Sequence, residues 1–351
     1  MEESPEKKDL RSLSEAELIA AFKEIGEPSF RAKQIHEWLW KKSATNFDMM
    51  TNISLKTREW LSQHFNINHI VEDTIQISKD RTIKTAFRLH DNHLIEGVLI
   101  PTEKRMTACV SSQVGCSLTC KFCATGYMDR KRNLEASEIY DQVVLIRKQA
   151  EENYGIPLTN IVYMGMGEPL LNYANVLKSI ELITSDSGLN MAARRITVST
   201  AGIAKMIKKL GDDQVRFNLA LSLHAANDTK RNQIMPINES NTLEALEEAL
   251  LYFHEKTGND ITFEYIAFKN FNDSLEDARE LVMFARKVPA KINIIQYNPI
   301  AEASYKNTDP LSLEEFAGFI ENQGITVNIR RSRGKDIDAA CGQLANKNKG
   351  E

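Results

Sequence analysis

The segment from residue 109 to residue 123 is Cys109-Val-Ser-Ser-Gln-Val-Gly-Cys116-Ser-Leu-Thr-Cys120-Lys-Phe-Cys123. It holds four of the chain's five cysteines, and Cys116, Cys120 and Cys123 have C-x3-C-x2-C spacing. Three thiolates from one short loop can bind zinc or an iron–sulfur cluster. A structural zinc site usually takes four ligands from two separated pairs, and only one C-x2-C pair is present here. The spacing therefore favours a 4Fe–4S cluster with one iron left open, as a chemically active cluster requires, and zinc is the alternative.

Strand-like and helix-like segments alternate along the chain from residue 106 onward. Helical stretches such as 136–151, 242–255 and 274–286 separate short apolar segments that have the pattern of buried strands. This alternation predicts an α/β fold with a parallel sheet, either open and doubly wound or a full or partial barrel. The predicted strands are Met106–Val110, Asn160–Met164, Arg195–Ser199, Arg216–Leu221, Thr262–Ala267, Lys291–Tyr297 and Thr326–Arg331.

Polar motifs follow the ends of these predicted strands. Because the carboxyl ends of parallel strands gather on one face of the sheet, we expect the motifs to build a single site there. In chain order they are the cysteine loop 116–123, Gly165-Met-Gly-Glu168, Ser199-Thr200, Ser222-Leu-His224, Gln296-Tyr-Asn298-Pro299 and finally Cys341.

The first hundred residues predict two further regions. From Ser14 to about Phe65 the apolar period is helical, and Ser14 with Glu17 forms a capping box, whereas residues 70–100 alternate as strands do. The predicted organisation is a helical domain at 1–68, a strand-rich connector with Glu96 at 69–104, an α/β core at 105–344 and a frayed tail at 345–351. Residues 1–9 are polar, and we expect them to be frayed as well.

The predicted helical domain combines aromatic and basic residues. Trp38 and Trp40 lie beside Lys41 and Lys42, which predicts a face for nucleic acid. Large aromatic side chains are usually mostly buried, so a core position is an equally good interpretation of each tryptophan.

Composition excludes some classes of protein. The 351 residues include 44 Lys and Arg against 48 Asp and Glu, a formal charge of −4, which excludes a uniformly basic nucleic-acid coat but not a local basic face. No apolar run is long enough to span a membrane, and the first residues do not resemble a secretion signal. We therefore expect a cytoplasmic protein without a membrane partner.

The cysteine loop resembles that of the radical S-adenosylmethionine enzymes, and further motifs resemble the RlmN/Cfr family of RNA methyltransferases. These motifs are Cys109-Val-Ser-Ser-Gln-Val-Gly-Cys116, Phe122-Cys-Ala-Thr-Gly126, Arg132-Asn-Leu134, Met164-Gly-Met-Gly-Glu168-Pro-Leu170, Ser222-Leu-His224, Met235-Pro-Ile-Asn238, Tyr297-Asn-Pro299 and Asp338-Ala-Ala-Cys341-Gly-Gln-Leu344. The resemblance covers nearly the whole chain. It implies an α/β core of the partial (β/α)6 barrel type with a small N-terminal helical domain that binds RNA.

The resemblance also implies roles for individual residues. Cys116, Cys120 and Cys123 would ligate the cluster, while Cys341, Cys109 and Glu96 would be catalytic. The contacts to S-adenosylmethionine would come from Gly167, Glu168, Ser199, Ser222, Leu223, His224 and Asn298. Without the resemblance, a lone Glu in a strand such as Glu96 indicates only a solvated face, and His224 is equally well a satisfied core histidine.

The implied reaction is methylation of an adenine carbon, which is not nucleophilic. Cys341 would carry a methyl group from one S-adenosylmethionine, a second would generate the radical, and Cys109 would resolve the protein–RNA link by forming a disulfide. The implied partners are large-subunit rRNA, tRNA and an external electron donor such as a flavodoxin system, and we expect a monomer. Two basic clusters flank the predicted site and suit RNA phosphates: Lys121, Arg130, Lys131 and Arg132, and Arg330, Arg331, Arg333 and Lys335.

Several alternatives stay open at this point. Pro169 after Glu168 resembles the RlmN branch, which methylates C2, more than the Cfr branch, which methylates C8. A radical enzyme with a non-RNA substrate explains the cluster but not Cys109, Cys341 or the helical domain. A zinc-stabilised RNA-binding module without catalysis is a third hypothesis, and iron and sulfide analysis separates it from the other two.

Overall fold

The N-terminal helices form a small layer in front of the large sheet. The structure is a computed structural model and describes residues 7–346. Ser14 and Glu17 form the predicted capping box at the first helix. The elements of this layer are β1 (Lys8–Asp9), α1 (Glu15–Glu24), α2 (Phe30–His36), a π-helical turn (Glu37–Lys41), α3 (Leu55–His64) and β2 (Phe65–Asn66).

A ten-stranded sheet carries the rest of the chain. Its strands and two short ones beside it are β3 (Val71–Ile77), β4 (Ile83–Arg88), β5 (Leu94–Pro101), β6 (Met106–Cys109), β7 (Gln113–Val114), β8 (Arg132–Asn133), β9 (Asn160–Tyr163), β10 (Ile196–Thr200), β11 (Asn218–Ser222), β12 (Ile261–Ala267), β13 (Ala290–Gln296) and β14 (Val327–Arg330). The helices between them are α4 (Ala136–Tyr154), α5 (Tyr173–Thr184), α6 (Ala204–Asp212), α7 (Asp228–Ile234), α8 (Leu243–Thr257), α9 (Leu275–Ala285) and α10 (Pro310–Glu321).

The order of the sheet is β14-β13-β12-β11-β10-β9-β6-β5-β4-β3. All pairs from β14 to β6 are parallel, whereas β6–β5, β5–β4 and β4–β3 are antiparallel. The parallel strands are the seven predicted from the alternation, and they confirm the α/β fold. The predicted connector is the antiparallel continuation of the same sheet, so β5 brings Glu96 next to the core rather than to a separate unit.

The helical layer is fastened to the core by Trp40. Its ring packs edge-on against Tyr140 of α4 at a centroid distance of 5.3 Å, and the Tyr140 hydroxyl donates to the Trp40 carbonyl. Arg11 adds an ion pair with Asp141 at 2.7 Å. Trp40 is 5% exposed and is therefore a core residue, whereas Trp38 is half-buried beneath Lys42, whose Nζ lies 3.9 Å from the ring centroid.

Both ends of the described chain are more ordered than the sequence predicts. Lys8 and Asp9 pair with β2. Asp9 is buried, and its carboxylate accepts the backbone N–H of Arg11. Ala345 and Asn346 also make specific hydrogen bonds. The structure therefore places residues 8, 9, 345 and 346 in specific contacts, and the predicted fraying of residues 1–6 and 347–351 lies outside the described residues. Within residues 7–346, none of the helices has both the length and the apolar character needed to cross a membrane.

Candidate functional site

A cavity of about 140 Å³, partly open to solvent, lies at the carboxyl ends of the parallel strands. The structure thus brings together motifs that are far apart in sequence, as the strand-end argument predicts. The predicted site residues that line the cavity are Cys116, Cys120, Cys123, Gly167, Glu168, Ser199, Ser222, His224 and Cys341. Those that do not line it are Cys109, Leu223, Asn298 and Glu96.

The three cysteines of the loop surround one wall of this cavity. Burial raises the pKa of Cys116 to about 11 and also raises the pKa values of Cys120 and Cys123. A structural zinc site usually takes four protein ligands, whereas an iron–sulfur cube can take three cysteines and leave one iron open. Three thiols of one loop that line the same cavity fit such a cluster.

Phe122 lies within the loop and closes it on one side. The ring is buried and packs edge-on against His224 at a centroid distance of 4.6 Å. The loop backbone is tied down on both sides of this residue, because Lys121 donates to Ile234 and Ala124 donates to Gly342. An apolar ring at this position excludes water from the thiols.

Gly167 and Glu168 form the floor of the cavity after β9. Gly167 has φ +93°, and a Cβ at this position would lie 2.5 Å from the Cβ of Gln113, so only glycine fits. The Glu168 carboxylate accepts backbone N–H groups from Leu170 and Ala201 at 3.0 and 2.8 Å. Burial raises the pKa of Glu168 to about 6. The Thr200 side chain also hydrogen-bonds this carboxylate, whose two oxygens offer about four acceptor positions, so one position is left for a donor in the cavity.

His224 has a satisfied ring nitrogen and also forms part of the cavity wall. Its Nδ1 accepts the Ile266 N–H at 3.0 Å, so the proton of the neutral ring is on Nε2. Burial, together with the charge of Arg231, lowers the pKa of His224 to about 3. Ser199 and Ser222 lie beside it on adjacent strands, with their hydroxyl oxygens 3.5 Å apart. His224 is thus a satisfied core histidine that also lines the cavity, and its contact with S-adenosylmethionine stays a prediction.

Arg231 is a functional residue that sequence reasoning missed. Its guanidinium is fully buried and donates to the carbonyls of Leu223, Ser222 and Ala201, which fixes the ends of β10 and β11 relative to each other. It also donates to Asn238, a residue of the Met235-Pro-Ile-Asn238 motif. The Met235-Pro-Ile-Asn238 motif was the available signal. A buried asparagine needs a hydrogen-bond partner, and Arg231, seven residues earlier, is that partner. Leu223 contributes this backbone contact rather than a side chain in the cavity.

Asn298 holds the loop that carries Cys341. Its Nδ2 donates to the Cys341 carbonyl at 3.1 Å. Its Oδ1 is buried and has no hydrogen-bond partner among residues 7–346. An orphaned buried acceptor beside the cavity fits a ligand that brings its own N–H or O–H group.

Cys109 and Cys341 are brought together by the fold. Both thiols are free, and they are close enough for the charge of one to act on the other. Burial raises the pKa of Cys109 to about 12 and raises that of Cys341, while the positive charge of Arg330 opposes both shifts. Arg330 itself is held by Glu264 at 3.1 Å.

Glu96 lies behind the cavity rather than in its wall. The side chain is 1% exposed, and one carboxylate oxygen lies 3.3 Å from the ammonium group of Lys84 on β4. The other oxygen accepts the backbone N–H groups of Ala345 and Asn346. Sequence reasoning missed Lys84, although Lys84 and Glu96 fall on the same face of neighbouring strands. The simple interpretation of Glu96 as a solvated strand residue is wrong.

The two basic clusters are less free than their sequence suggests. Arg132 makes a two-pronged ion pair with Glu138 and a further one with Asp91, and Arg330 is held by Glu264. These two arginines therefore serve the protein itself. The exposed members near the site are Lys121, Arg130, Lys131, Arg331, Arg333 and Lys335.

Comparison with known proteins gives consistent matches. Residues 8–67 match the model of the ribosomal RNA large subunit methyltransferase N-terminal domain, and residues 110–282 match the radical SAM superfamily. A protein of Cytophaga hutchinsonii named probable dual-specificity RNA methyltransferase RlmN is 64% identical, with 97% of this chain and 93% of that protein covered. A Salinibacter ruber protein of the same name is 45% identical, with 96% and 94% covered. The crystal structure of a radical SAM methyltransferase from Sphaerobacter thermophilus is 38% identical, with TM-score 0.90 and 96% and 99% coverage.

The sheet and its loop of three cysteines define a radical S-adenosylmethionine enzyme. This superfamily uses a 4Fe–4S cluster and S-adenosylmethionine, and the thiols and the orphaned Asn298 oxygen fit both. With the N-terminal match and relatives at this level of identity, the chain belongs to the RlmN family of RNA methyltransferases.

Proposed function

We propose that this protein methylates C2 of an adenosine in large-subunit rRNA and in tRNA next to the anticodon. Its relatives are named dual-specificity RNA methyltransferases, and the chain has the family's N-terminal domain. The observation that carries the proposal is the pair of free thiols, Cys109 and Cys341, which belong to distant parts of the chain yet lie close enough for the charge of one to act on the other. A carbon that is not nucleophilic needs such a covalent carrier and a group that releases it.

Cys341 acts first as the carrier. It lines the same cavity as the three loop cysteines, so S-adenosylmethionine bound there can present its methyl group to the thiol. The sulfur displaces S-adenosylhomocysteine, an S–C bond forms, and the thiol proton leaves. Arg330 favours the thiolate needed for this attack, because its positive charge opposes the effect of burial on the pKa of Cys341.

The second half of the reaction uses a second S-adenosylmethionine. When bound by Cys116, Cys120 and Cys123, one 4Fe–4S cluster supplies the electron that splits this molecule into methionine and a 5′-deoxyadenosyl radical. The S-methyl group of Cys341 would lose a hydrogen atom to that radical, and the resulting methylene radical would form a bond to C2 of the adenine. The adduct would then give up its one unpaired electron to the oxidised cluster. Gly167, Glu168, Ser199, Ser222, His224 and Asn298 bind and orient the cofactor during both halves, and Leu223 supports them through its backbone.

Cys109 completes the cycle. It would help to remove the C2 proton and then, as a thiolate, attack the Cys341 sulfur. A disulfide forms, the bond from that sulfur to the new methyl carbon breaks, and this carbon takes up a proton to complete the methyl group as the RNA is released. An external electron donor such as a flavodoxin system then reduces the disulfide and the cluster. Glu96 contacts the target adenine as a hydrogen-bonding or acid–base partner.

The experiment that tests this proposal is mass spectrometry of the Cys109→Ala variant. We expect an RNA adduct on Cys341, because the carrier can form its bond to the base but nothing can resolve it. The Cys341→Ala variant is the control and carries no adduct. An unmodified Cys341 without RNA in the first variant contradicts the proposal. Digestion of RNA methylated by the unaltered protein separates 2-methyladenosine from the 8-methyladenosine of a Cfr-like reaction.

A further inference from the structure

The Glu96 carboxylate binds both a lysine of the sheet and the backbone of residues 345 and 346. Its Oε1 faces Lys84, which is itself only 4% exposed, so this side of the carboxylate is permanently paired. Its Oε2 accepts the N–H groups of Ala345 at 2.9 Å and Asn346 at 3.2 Å. The Asn346 side chain adds a bond to the Leu94 carbonyl at 2.6 Å. Residues 345 and 346 are thus held by three hydrogen bonds, two of which are strengthened by the charge of the Glu96 carboxylate.

The same segment carries Cys341 at its other end. Between the two ends, the Gly342 carbonyl accepts from Ala124 at 2.7 Å and the Leu344 carbonyl accepts from Thr125 at 2.6 Å. Residues 341–346 therefore run from the cavity, along the cysteine loop, to Glu96. Ala345 follows directly on these bonds, so we expect its release from Glu96 to remove one end of the support for the part that presents the thiol, while Asn298 still holds the Cys341 carbonyl.

We propose that Glu96 is a positioning residue for Cys341 before RNA binds. It holds residues 345 and 346 so that the Cys341 thiol stays at the cavity while it receives its methyl group. The target base then takes over Oε2, and the segment that carries the methylated sulfur is released toward the base. This inference rests on the proposed function and adds to it an exchange of hydrogen-bond partners at Glu96.

The stereochemistry of one oxygen makes the two partners exclusive. A carboxylate oxygen has two lone pairs, and the Ala345 and Asn346 N–H groups already use both on Oε2. An exocyclic amino group of adenine needs the same position, so it displaces these backbone donors. Lys84 keeps its place on Oε1 throughout, which holds the carboxylate still during the exchange.

Hydrogen exchange in the cluster-loaded protein without RNA tests the first half of the inference. In the Glu96→Gln variant we expect the Ala345 and Asn346 amides to exchange about ten- to a hundredfold faster, as the loss of a charge-assisted hydrogen bond implies. Asp336→Asn is the matched control, because Asp336 also accepts a backbone N–H, that of Lys79, but from outside the segment. It leaves exchange at 345 and 346 unchanged. Protection in Glu96→Gln equal to that of the unaltered protein overturns the inference.

The loading of Cys341 without RNA tests its consequence. Intact-protein mass spectrometry follows the methyl group that Cys341 gains from S-adenosylmethionine, and we expect Glu96→Gln to slow this gain at least tenfold. Ala345→Pro removes one of the donors while Glu96 stays in place, and it should slow loading too. The double variant should be no slower than the slower single one, since both remove the same contact. A residue that serves only the target base, or only general stability, gives normal loading or additive losses instead.

Substrate RNA gives the last test. RNA with adenosine at the target position should raise exchange at residues 345 and 346, whereas the same RNA with purine riboside, which lacks the amino group, should not. Equal protection with and without adenosine RNA overturns the exchange of partners. If Glu96→Gln releases the segment but the unaltered protein methylates no RNA, the proposed function fails and the positioning contact stands.

Discussion

His224 makes the stability of the protein sensitive to acid. Burial, with the charge of Arg231, lowers its pKa to about 3. Because the unfolded chain has an ordinary histidine pKa of about 6.5, the unfolded state takes up the proton first as the pH falls. The stability that the neutral ring provides is therefore complete above about pH 6.5 and is lost below it.

Other ionisable groups of the protein also change protonation on unfolding in this pH range. The prediction is therefore stated as a difference between two variants. Between about pH 7 and pH 5 we expect the free energy of unfolding to fall by about 2 kcal/mol more in the unaltered protein than in His224→Gln. Urea denaturation at both pH values measures it. Parallel losses in the two proteins would show that His224 is protonated in the folded state.

Gly167 is fixed by its backbone conformation and by its neighbour. An alanine there adopts an unfavourable positive φ and also brings its Cβ within 2.5 Å of Gln113, so we expect Gly167→Ala to weaken S-adenosylmethionine binding at least tenfold. Gly155 is the control, because it also has positive φ, but a Cβ there has nothing within 4 Å. Gly155→Ala should cost about 1 kcal/mol of stability and leave binding intact. Calorimetric titration of both variants decides, and equal affinities contradict the steric argument.

Residue patterns predicted the composition of the site better than the contacts within it. The cysteine spacing and the strand-end rule placed the loop thiols, Glu168 and His224 around one cavity, because local sequence determines where each strand ends. The partners of Glu96 were not predictable in this way. Lys84 and the amides of residues 345 and 346 reach it from distant parts of the chain, and only the order of the strands puts them there.

At the scale of elements, α4 is the support on which the N-terminal layer rests. The Tyr140 hydroxyl donates to the Trp40 carbonyl across this boundary, in a buried position. Tyr140→Phe keeps the ring contact but leaves that carbonyl without this donor, so we expect a loss of about 1–2 kcal/mol in unfolding free energy. Tyr154→Phe on the same helix is the control, because its hydroxyl donates to Arg81 near the surface and should cost under about 0.5 kcal/mol. Equal losses would mean that burial of the bond does not matter.

The helices and strands themselves followed from short-range signals. Ser14 and Glu17 form the capping box that starts α1, and the seven parallel strands fall where apolar segments alternate with helical ones. The second helix, α2, is followed directly by a π-helical turn at Glu37–Lys41. In that turn, the Trp40 carbonyl accepts a hydrogen bond from the Tyr140 hydroxyl. This is a tertiary contact, which a local sequence pattern does not predict.

At the scale of the whole molecule, the parallel and antiparallel halves of the sheet position different residues of the site. The parallel strands present the cavity at their carboxyl ends, and the antiparallel strands β3–β5 place Glu96 and Lys84 behind it. The sequence predicted the strand content of both halves. It did not predict that residues 69–104 continue the core sheet, since strand alternation carries no information about which strand is the neighbour.

The charge distribution predicts how the whole protein binds RNA. The net charge is −4, so attraction to phosphate has to come from the exposed basic residues around the site, among them Lys131. Each phosphate contact that is lost lowers the slope of log affinity against log salt by about 0.7–0.9. We expect Lys131→Glu to reduce the slope for substrate RNA by about one and to weaken binding several-fold near 0.15 M salt.

Lys256→Glu is the control, because it makes an equal charge change in the last turn of α8, and that helix end lies away from the carboxyl edge of the sheet. It should leave the slope and the affinity unchanged. Filter binding across a salt series measures both slopes, and identical shifts in the two variants would assign the attraction to net charge rather than to a basic face at the site.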